Sequence, residues 1–403
     1  MRTVCEQNMC AGCMACAEIC PKDAIVIQDT KDCYNAVKTD RCIECGACER
    51  VCQVNHPPKA SAPISWVQGW SNDNDLRQGS SSGGFAAAIA AAFIEQGGVV
   101  CSCVFEDGVF KFNTVDNQEE LKKFQGSKYV KSNPAGIYKE ASQLLKKGKK
   151  VLFIGLPCQS AAIQNYVPSK LHDNLFTVDL ICHGTPSPKI LEQFLKEKGH
   201  SLAQMRDIRF RVSKQFGISE AYRTIVPKGV TDRYTIGFLN GLFYTENCYY
   251  CRYAKLERVS DLTLGDSWGS LLSDEERKRG ISLALCQTVK GKQLLEWANL
   301  HLEEVDLKRA VEANHQLAEP SKVPGNRKEF FKDLEEGKSF HLLVTKCYPD
   351  RCHRQDVKQF IVQIPVIGKL AQKKWGGVSD YRIAFILAFD RNNDSTVFKS
   401  PVS

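Results

Sequence analysis

The chain has 403 residues, 43% of them hydrophobic and 25% charged, with a formal charge of +8. It is too long for one small domain and ordinary in composition for a soluble globular protein of two or three domains. The best apolar runs, around 85–94 and 383–389, fall short of the roughly 18–20 residues a membrane-spanning helix needs, and MRTVCEQNMC has no apolar signal core. The expectation is a cytoplasmic protein with no transmembrane segment, whose 19 cysteines are free thiols rather than disulfides.

Residues 10–52 explain many of those thiols. Cys10, Cys13, Cys16 and Cys20, followed by Pro21, form a C-x2-C-x2-C-x3-C run, and Cys42, Cys45, Cys48 and Cys52 repeat it. A [4Fe–4S] cube needs four thiolates converging from different directions. A loop with three cysteines at this spacing wraps three corners, and in two-cluster ferredoxins the last cysteine of each run crosses to the other cube. The expected sets are therefore Cys10, Cys13, Cys16 and Cys52, and Cys42, Cys45, Cys48 and Cys20. Zinc is the rival, but it gains nothing from a third cysteine at the same spacing, repeated twice. Gln53, not proline, follows Cys52, while Cys5 and Cys33 stand outside the pattern as incidental thiols. Residues 1–58 resemble a small bacterial-type ferredoxin domain.

Each four-thiolate cube carries about −2 when oxidised, so two or three bring the holoprotein near neutrality and remove the case for a nucleic-acid partner. Residues 1–58 hold six Lys or Arg against eight Asp or Glu, so the basic excess lies downstream. There it can receive an anionic cofactor or substrate, or simply be solvated.

Residues 59–65 close a Pro/Ala/Ser-rich stretch that reads as a linker, making the first 58 residues a discrete head on a tether. Next, Ser81, Ser82, Gly83 and Gly84 run into FAAAIAAAFIEQGG, a helix ended by Gly97 and Gly98, followed by the buried strand VVCSCVF. Serines there can hold a phosphate on free helix N–H groups or cap the helix. Cys101 and Cys103 read as small buried residues. Gly126, Ser127, Lys128 and Tyr129 form a second Gly/Ser turn, suited to a flavin or nucleotide edge or to solvent.

A helix over 135–147 and the strand VLFIG lead to Cys158, and the strand in LFTVDLI leads to Cys182 and His183 before another helix. Strand–loop–helix repetition predicts an α/β body with a mostly parallel sheet, whose chemistry gathers at the carboxyl ends of strands. Cys248 and Cys251 bring the set to four, enough for a third [4Fe–4S] cluster, though a lone C-x-x-C also suits a redox dithiol or half of a zinc site. Cys286 reads as core. Cys347, Cys352 and His353 lack a second pair to complete a metal site.

In this order, SSSGGFAAAIA, GSKYVKS, FIGLPCQSAAI, DLICHGTPSP, CYYCRYA and DLTLGDSWG resemble the beta subunits of the coenzyme F-420 hydrogenases and dehydrogenases. That family also includes 7-hydroxymethyl chlorophyll a reductase. The likeness covers 66–147 as the N-terminal part of a flavin-binding body and 148–310 as its C-terminal part; residues 311–403 stay unassigned. It implies a flavin, FAD or else FMN, near Ser81, Ser82, Gly83, Gly84, Gly126, Ser127, Lys128 and Tyr129. It also implies a cluster on Cys158, Cys182, Cys248 and Cys251. The implied function is a flavin- and iron–sulfur-dependent oxidoreductase joining a small two-electron substrate, reduced coenzyme F-420 being one candidate, to a one-electron protein partner. A non-catalytic electron-transfer subunit of a larger complex is the alternative.

Overall fold

The computed structural model describes residues 2–212, 214–221 and 223–363; the apolar run at 383–389 lies outside them. The first segment builds an antiparallel hairpin, β1 (Ile25–Asp29) and β2 (Tyr34–Lys38), beside the short helices Ala15–Glu18 and Ala47–Val51. Each helix grows out of a three-cysteine loop, and the two loops fold alike. Gly12 and Met14 in one, and Glu44 and Gly46 in the other, take left-handed backbone two and four residues after the first cysteine. That conformation costs a non-glycine residue about 1–2 kcal/mol, so Met14 and Glu44 adopt it for a local reason. In both loops the second residue's N–H meets the first thiol: Gly12 N lies 3.4 Å from Cys10 Sγ, and Glu44 N lies 3.4 Å from Cys42 Sγ.

The packing corrects the reading of a tethered head. Cys13, Ala15 and Val51 belong to the same apolar core as Phe112, Tyr138 and Ile163 of the body. The buried Tyr138 hydroxyl donates to the Cys13 carbonyl at 2.8 Å, and the Asp32 carbonyl accepts from Arg327 and from the Glu246 backbone N–H. Glu18 receives the N–H groups of Gly136 and Lys139 at the start of the helix Ile137–Lys146. There its carboxylate meets the positive end of the helix dipole. The supposed linker lies along the body: Ser61 exchanges backbone hydrogen bonds with Arg258, and Ile64 N–H donates to the Cys286 carbonyl.

In the body, β3 (Ser65–Ser71), β4 (Val99–Glu106), β5 (Val109–Val115), β6 (Val151–Gly155) and β7 (Leu175–Leu180) come first. A small antiparallel sheet follows, of β8 (Ile208–Val212), β9 (Gln215–Glu220) and β10 (Arg223–Thr224). Then come β11 (Leu262–Asp266), β12 (Ser282–Cys286) and β13 (Leu300–Glu303). The main sheet has eight strands in the order β13-β3-β12-β11-β7-β6-β4-β5. Its centre, β11-β7-β6-β4, is parallel and both flanks are antiparallel. The body is thus α/β with a parallel core inside a mixed sheet. β6 is buried at every residue, as a strand covered on both faces must be.

The sequence reading and the structure agree on the helix Phe85–Glu95 and its stop: Gly97 and Gly98 N–H groups close onto the Ile94 and Phe93 carbonyls. The described part of the unassigned C-terminal region ends in three helices. Arg327–Glu335, Phe340–Cys347 and Pro349–Gln363 share one core with the helices Pro188–Glu197 and Arg233–Leu239. Cys352 is wholly buried there while His353 is exposed, and Cys286 is 1% exposed in β12.

Candidate functional site

The loops at the carboxyl ends of β6, β7 and β11 open onto a cavity of about 540 Å³. Ser81, Ser82, Gly84, Gly126, Ser127, Lys128 and Tyr129 all line it. Ser127 N–H donates to Ser81 Oγ at 2.8 Å, joining the two Gly/Ser loops into one wall. The helix Phe85–Glu95 begins at this wall. Its N-cap is Gly84 in left-handed backbone, with no side-chain cap, so the serines are not spent on capping and the first N–H groups stay free for an anion. Lys128 is held by the Phe124 and Gln125 carbonyls, which leaves one of its three donors; burial pushes its pKa down.

Gly83 departs from the expectation. It does not line the cavity; a Cβ there would sit 2.4 Å from the Gly69 carbonyl oxygen and 2.6 Å from Ser282 N. This glycine lets the loop approach β3 and β12. Behind the loop, Lys214 donates to the carbonyls of Arg77, Ser80 and Ser82, so an ammonium at the tip of the β8–β9 hairpin fixes the loop from outside.

At the other end of the cavity, Tyr129 accepts a hydrogen bond from Arg211, which is paired with Asp266 at 2.6 Å and lies 3.8 Å over the Phe216 ring. Cys182 and His183 complete the wall. Burial first, and then the neighbouring His315, push His183 down to about 4, so its imidazole is neutral near pH 7.

Cys182, His183, Gly184 and Thr185 also line a second, smaller cavity, which the structure completes with Cys158, Cys248 and Cys251. Burial pushes the thiols of Cys158 and Cys182 up, and that of Cys251 up to about 12. Lys131 lies within this cavity, 3% exposed, its Nζ 3.9 Å from Cys158 Sγ. Burial disfavours its charge, but the thiols of Cys158, Cys248 and Cys182 and the Tyr34 phenol outweigh that and raise its pKa. Among the described residues it forms no salt bridge. An ammonium so buried and unmatched is expensive. Four thiolates around an anionic cluster are a donor set that would match it.

Ala11, Gln53 and Val54 line both this cavity and the next, which is bounded by Cys10, Cys13, Cys16 and Cys52. Cys5, set aside in the sequence reading, lies there too. Its closeness to Cys10 and Cys52 lowers the pKa of Cys10, and that of Cys52 to about 6, while raising that of Cys5. No spacing rule marks Cys5; the fold alone brings it in. The last cavity holds Cys20, Cys42, Cys45 and Cys48 and reaches the surface at the exposed Cys45. Each fourth cysteine thus sits with the opposite run.

The described residues contain no three His, Cys, Asp or Glu side chains close enough to share one metal ion. The Gly12, Glu44 and Ala24 N–H groups lie 3.3–3.4 Å from Cys10, Cys42 and Cys20 sulfurs, where a thiolate would accept them. Sequence reasoning also missed Lys131, Arg211 and Gln316. Lys131 falls inside the GSKYVKS motif, whose shape gave no hint of burial; Arg211 lies in no motif, and Gln316 comes from the region left unassigned.

Comparison with known proteins places this α/β chain. Residues 66–136 match the family model for the N-terminal part of the coenzyme F420 hydrogenase/dehydrogenase beta subunit, and residues 148–309 match the model for its C-terminal part. Together these span more than half of the chain, which belongs to this family of redox subunits. Among individual proteins it is similar to an F(420)H(2) dehydrogenase subunit of Methanosarcina mazei, 22% identical over 222 residues. That match covers 50% of this chain and 62% of the relative, so the chain spans less than two thirds of that protein's length. A chain of the F420-reducing [NiFe] hydrogenase complex from Methanosarcina barkeri aligns at 19% identity and a TM-score of 0.46, over 68% of this chain and 92% of that one.

Proposed function

We propose that the chain is an iron–sulfur flavoprotein that exchanges electrons between a two-electron substrate and a one-electron protein partner. The observation that carries this reading is the serial order of the cavities. The large cavity shares Cys182 and His183 with the four-cysteine cavity, which shares Ala11 and Gln53 with the first cavity of the N-terminal segment. The second cavity of that segment reaches the surface at Cys45.

In this reading Ser81, Ser82, Gly84, Gly126, Ser127, Lys128 and Tyr129 hold a flavin, FAD by family likeness, with its phosphates at the start of the helix Phe85–Glu95. Cys158, Cys182, Cys248 and Cys251 hold one [4Fe–4S] cluster; Cys10, Cys13, Cys16 and Cys52 hold a second, and Cys20, Cys42, Cys45 and Cys48 a third, in a ferredoxin-like domain. A flavin supplies conversion between hydride and single-electron chemistry, and cubes supply single-electron transfer. The chain's own residues bind and shield: Lys131 neutralises buried thiolate charge, and Arg211 and Asp266 fix the Tyr129 hydroxyl. The M. mazei relative's name makes reduced coenzyme F-420 the first substrate to try.

Anaerobically purified chain, mixed with reduced coenzyme F-420 and a one-electron dye, tests the proposal. Bleaching of flavin absorbance followed by dye reduction supports it. Bound zinc without flavin would reject it. Flavin that bleaches without turnover until a partner protein is added would favour the auxiliary-subunit alternative, which the relative's designation as a subunit keeps in view.

A further inference from the structure

The Ser/Gly loop before the helix Phe85–Glu95 is gripped from its far side. Lys214, half-buried, sends its Nζ to the Arg77, Ser80 and Ser82 carbonyls at 2.6, 2.5 and 2.9 Å. A planar trans peptide points its C=O and its N–H in opposite directions. With the Ser80 and Ser82 carbonyls turned onto Lys214, the N–H groups of Ser81 and Gly83 point away from it. Ser81 and Ser82 line the large cavity, whereas Lys214 does not. Neither N–H has a hydrogen-bond partner among the described residues, and in the helix that follows the first N–H to find one is that of Ala88. The hydroxyls are engaged elsewhere: Ser80 and Ser82 donate to the Leu76 and Ile281 carbonyls, and Ser81 Oγ accepts from Ser127 N–H. The loop's open donors are mainly backbone ones. Beside Lys214, Arg77 is 2% exposed and paired with Glu276, and its Nη1 is buried with no hydrogen-bond partner among the described residues. Two cations thus stand behind the loop with one paired carboxylate between them.

We propose that Lys214 is a positioning residue for an anion: by holding the loop carbonyls on the far side, it keeps the Ser81 and Gly83 N–H groups aimed as donors for the phosphates of a bound flavin nucleotide. The assignment rests on the reading above that these phosphates lie at the start of the helix Phe85–Glu95. A loop whose peptides rotate freely must be ordered when the anion binds, at a cost in affinity; a loop already held avoids that cost. The excess positive charge behind it attracts the same anion without touching it. Burial first, and then the Arg77 charge, hold the Lys214 pKa down at about 8, so the ammonium is kept there at a cost to folding. A role in binding accounts for that cost.

The test compares two flavins that differ in phosphate. The full-length chain with its clusters in place, freed of flavin, is titrated with FAD and with riboflavin, which has the ring but no phosphate. Lys214→Met should weaken FAD binding about tenfold, within the usual range for coupling between groups that do not touch, and leave riboflavin affinity unchanged. Lys214→Arg, which keeps the charge and donors for the carbonyls, should restore most of the FAD affinity. If Lys214→Met does not fold, Lys214→Gln, neutral but still a donor, should show a smaller loss with the same selectivity. Unchanged FAD affinity, or equal losses for both flavins, would overturn the assignment. A wild-type chain that binds neither flavin would overturn the reading beneath it as well, and the wild-type titration separates the two failures.

Discussion

The N-terminal segment and the body hold cysteine sets by opposite means. In the segment, two copies of one loop set their thiols by local backbone: left-handed residues at matching positions and an N–H turned onto the first sulfur of each run. In the body, Cys158 starts a helix after β6, Cys182 follows β7, and Cys248 and Cys251 sit in a separate turn. No local rule relates them; the fold brings them together, and Lys131 supplies a buried charge without a salt bridge among the described residues, whereas Lys38 at the outer N-terminal cavity is paired with Glu49. A site written into a loop survives changes elsewhere in the fold. A site assembled by the fold depends on its framework and on its counter-charge.

That contrast can be broken most forcefully at Lys131. Lys131→Met should strip the body cavity of about 4 iron atoms, one cube's worth, while the N-terminal sets keep theirs; metal analysis of anaerobically prepared protein checks this. Equal loss from all three sets would erase the distinction between the regions.

The joint between the regions comes next. Tyr138→Phe leaves the buried Cys13 carbonyl without its donor, at a cost of about 1–3 kcal/mol. The urea midpoint should fall accordingly. No change would mean that the segment hangs free after all.

A smaller, pH-dependent effect belongs to Lys214. Burial, and then the Arg77 charge, push its pKa from 10.5 down to about 8. The unfolded chain therefore binds more protons between those values. The burden on folding is complete below about pH 8 and is relieved as pH rises toward 10.5. Relative to Lys214→Met, the wild-type unfolding midpoint should improve across that window, whereas a parallel pair of curves would show that Lys214 is not buried as described. The least effect is expected at the Arg2–Glu44 pair, with side chains 55% and 72% exposed. Arg2→Ala should change stability by no more than about 0.5 kcal/mol.

The same division governs what could be read from the sequence. The doubled cysteine spacing led to the expectation that Cys20 and Cys52 each lie with the opposite run, and the cavities place them there. The helix after Gly84 and the strands at Cys158 and Cys182 were equally legible, since apolar runs and glycine stops encode them. The composition of 59–65 spoke of a tether, but composition cannot show a backbone pairing such as Ser61 with Arg258. Gly83 looked like its neighbours and faces the other way. Lys131, Cys5 and Gln316 became visible only once residues distant in sequence were placed side by side. The antiparallel flanks, which make the sheet mixed, likewise depend on strand order that no single segment carries.

The central claim is that the four dispersed cysteines form a redox centre in series with the two local ones. Iron and acid-labile sulfide, counted in anaerobically purified wild-type chain and in Cys158→Ala, test it most directly. The account predicts about 12 of each per chain, falling to about 8 in the variant, with flavin retained in both. A wild-type chain with about 8, unchanged in Cys158→Ala, would contradict it.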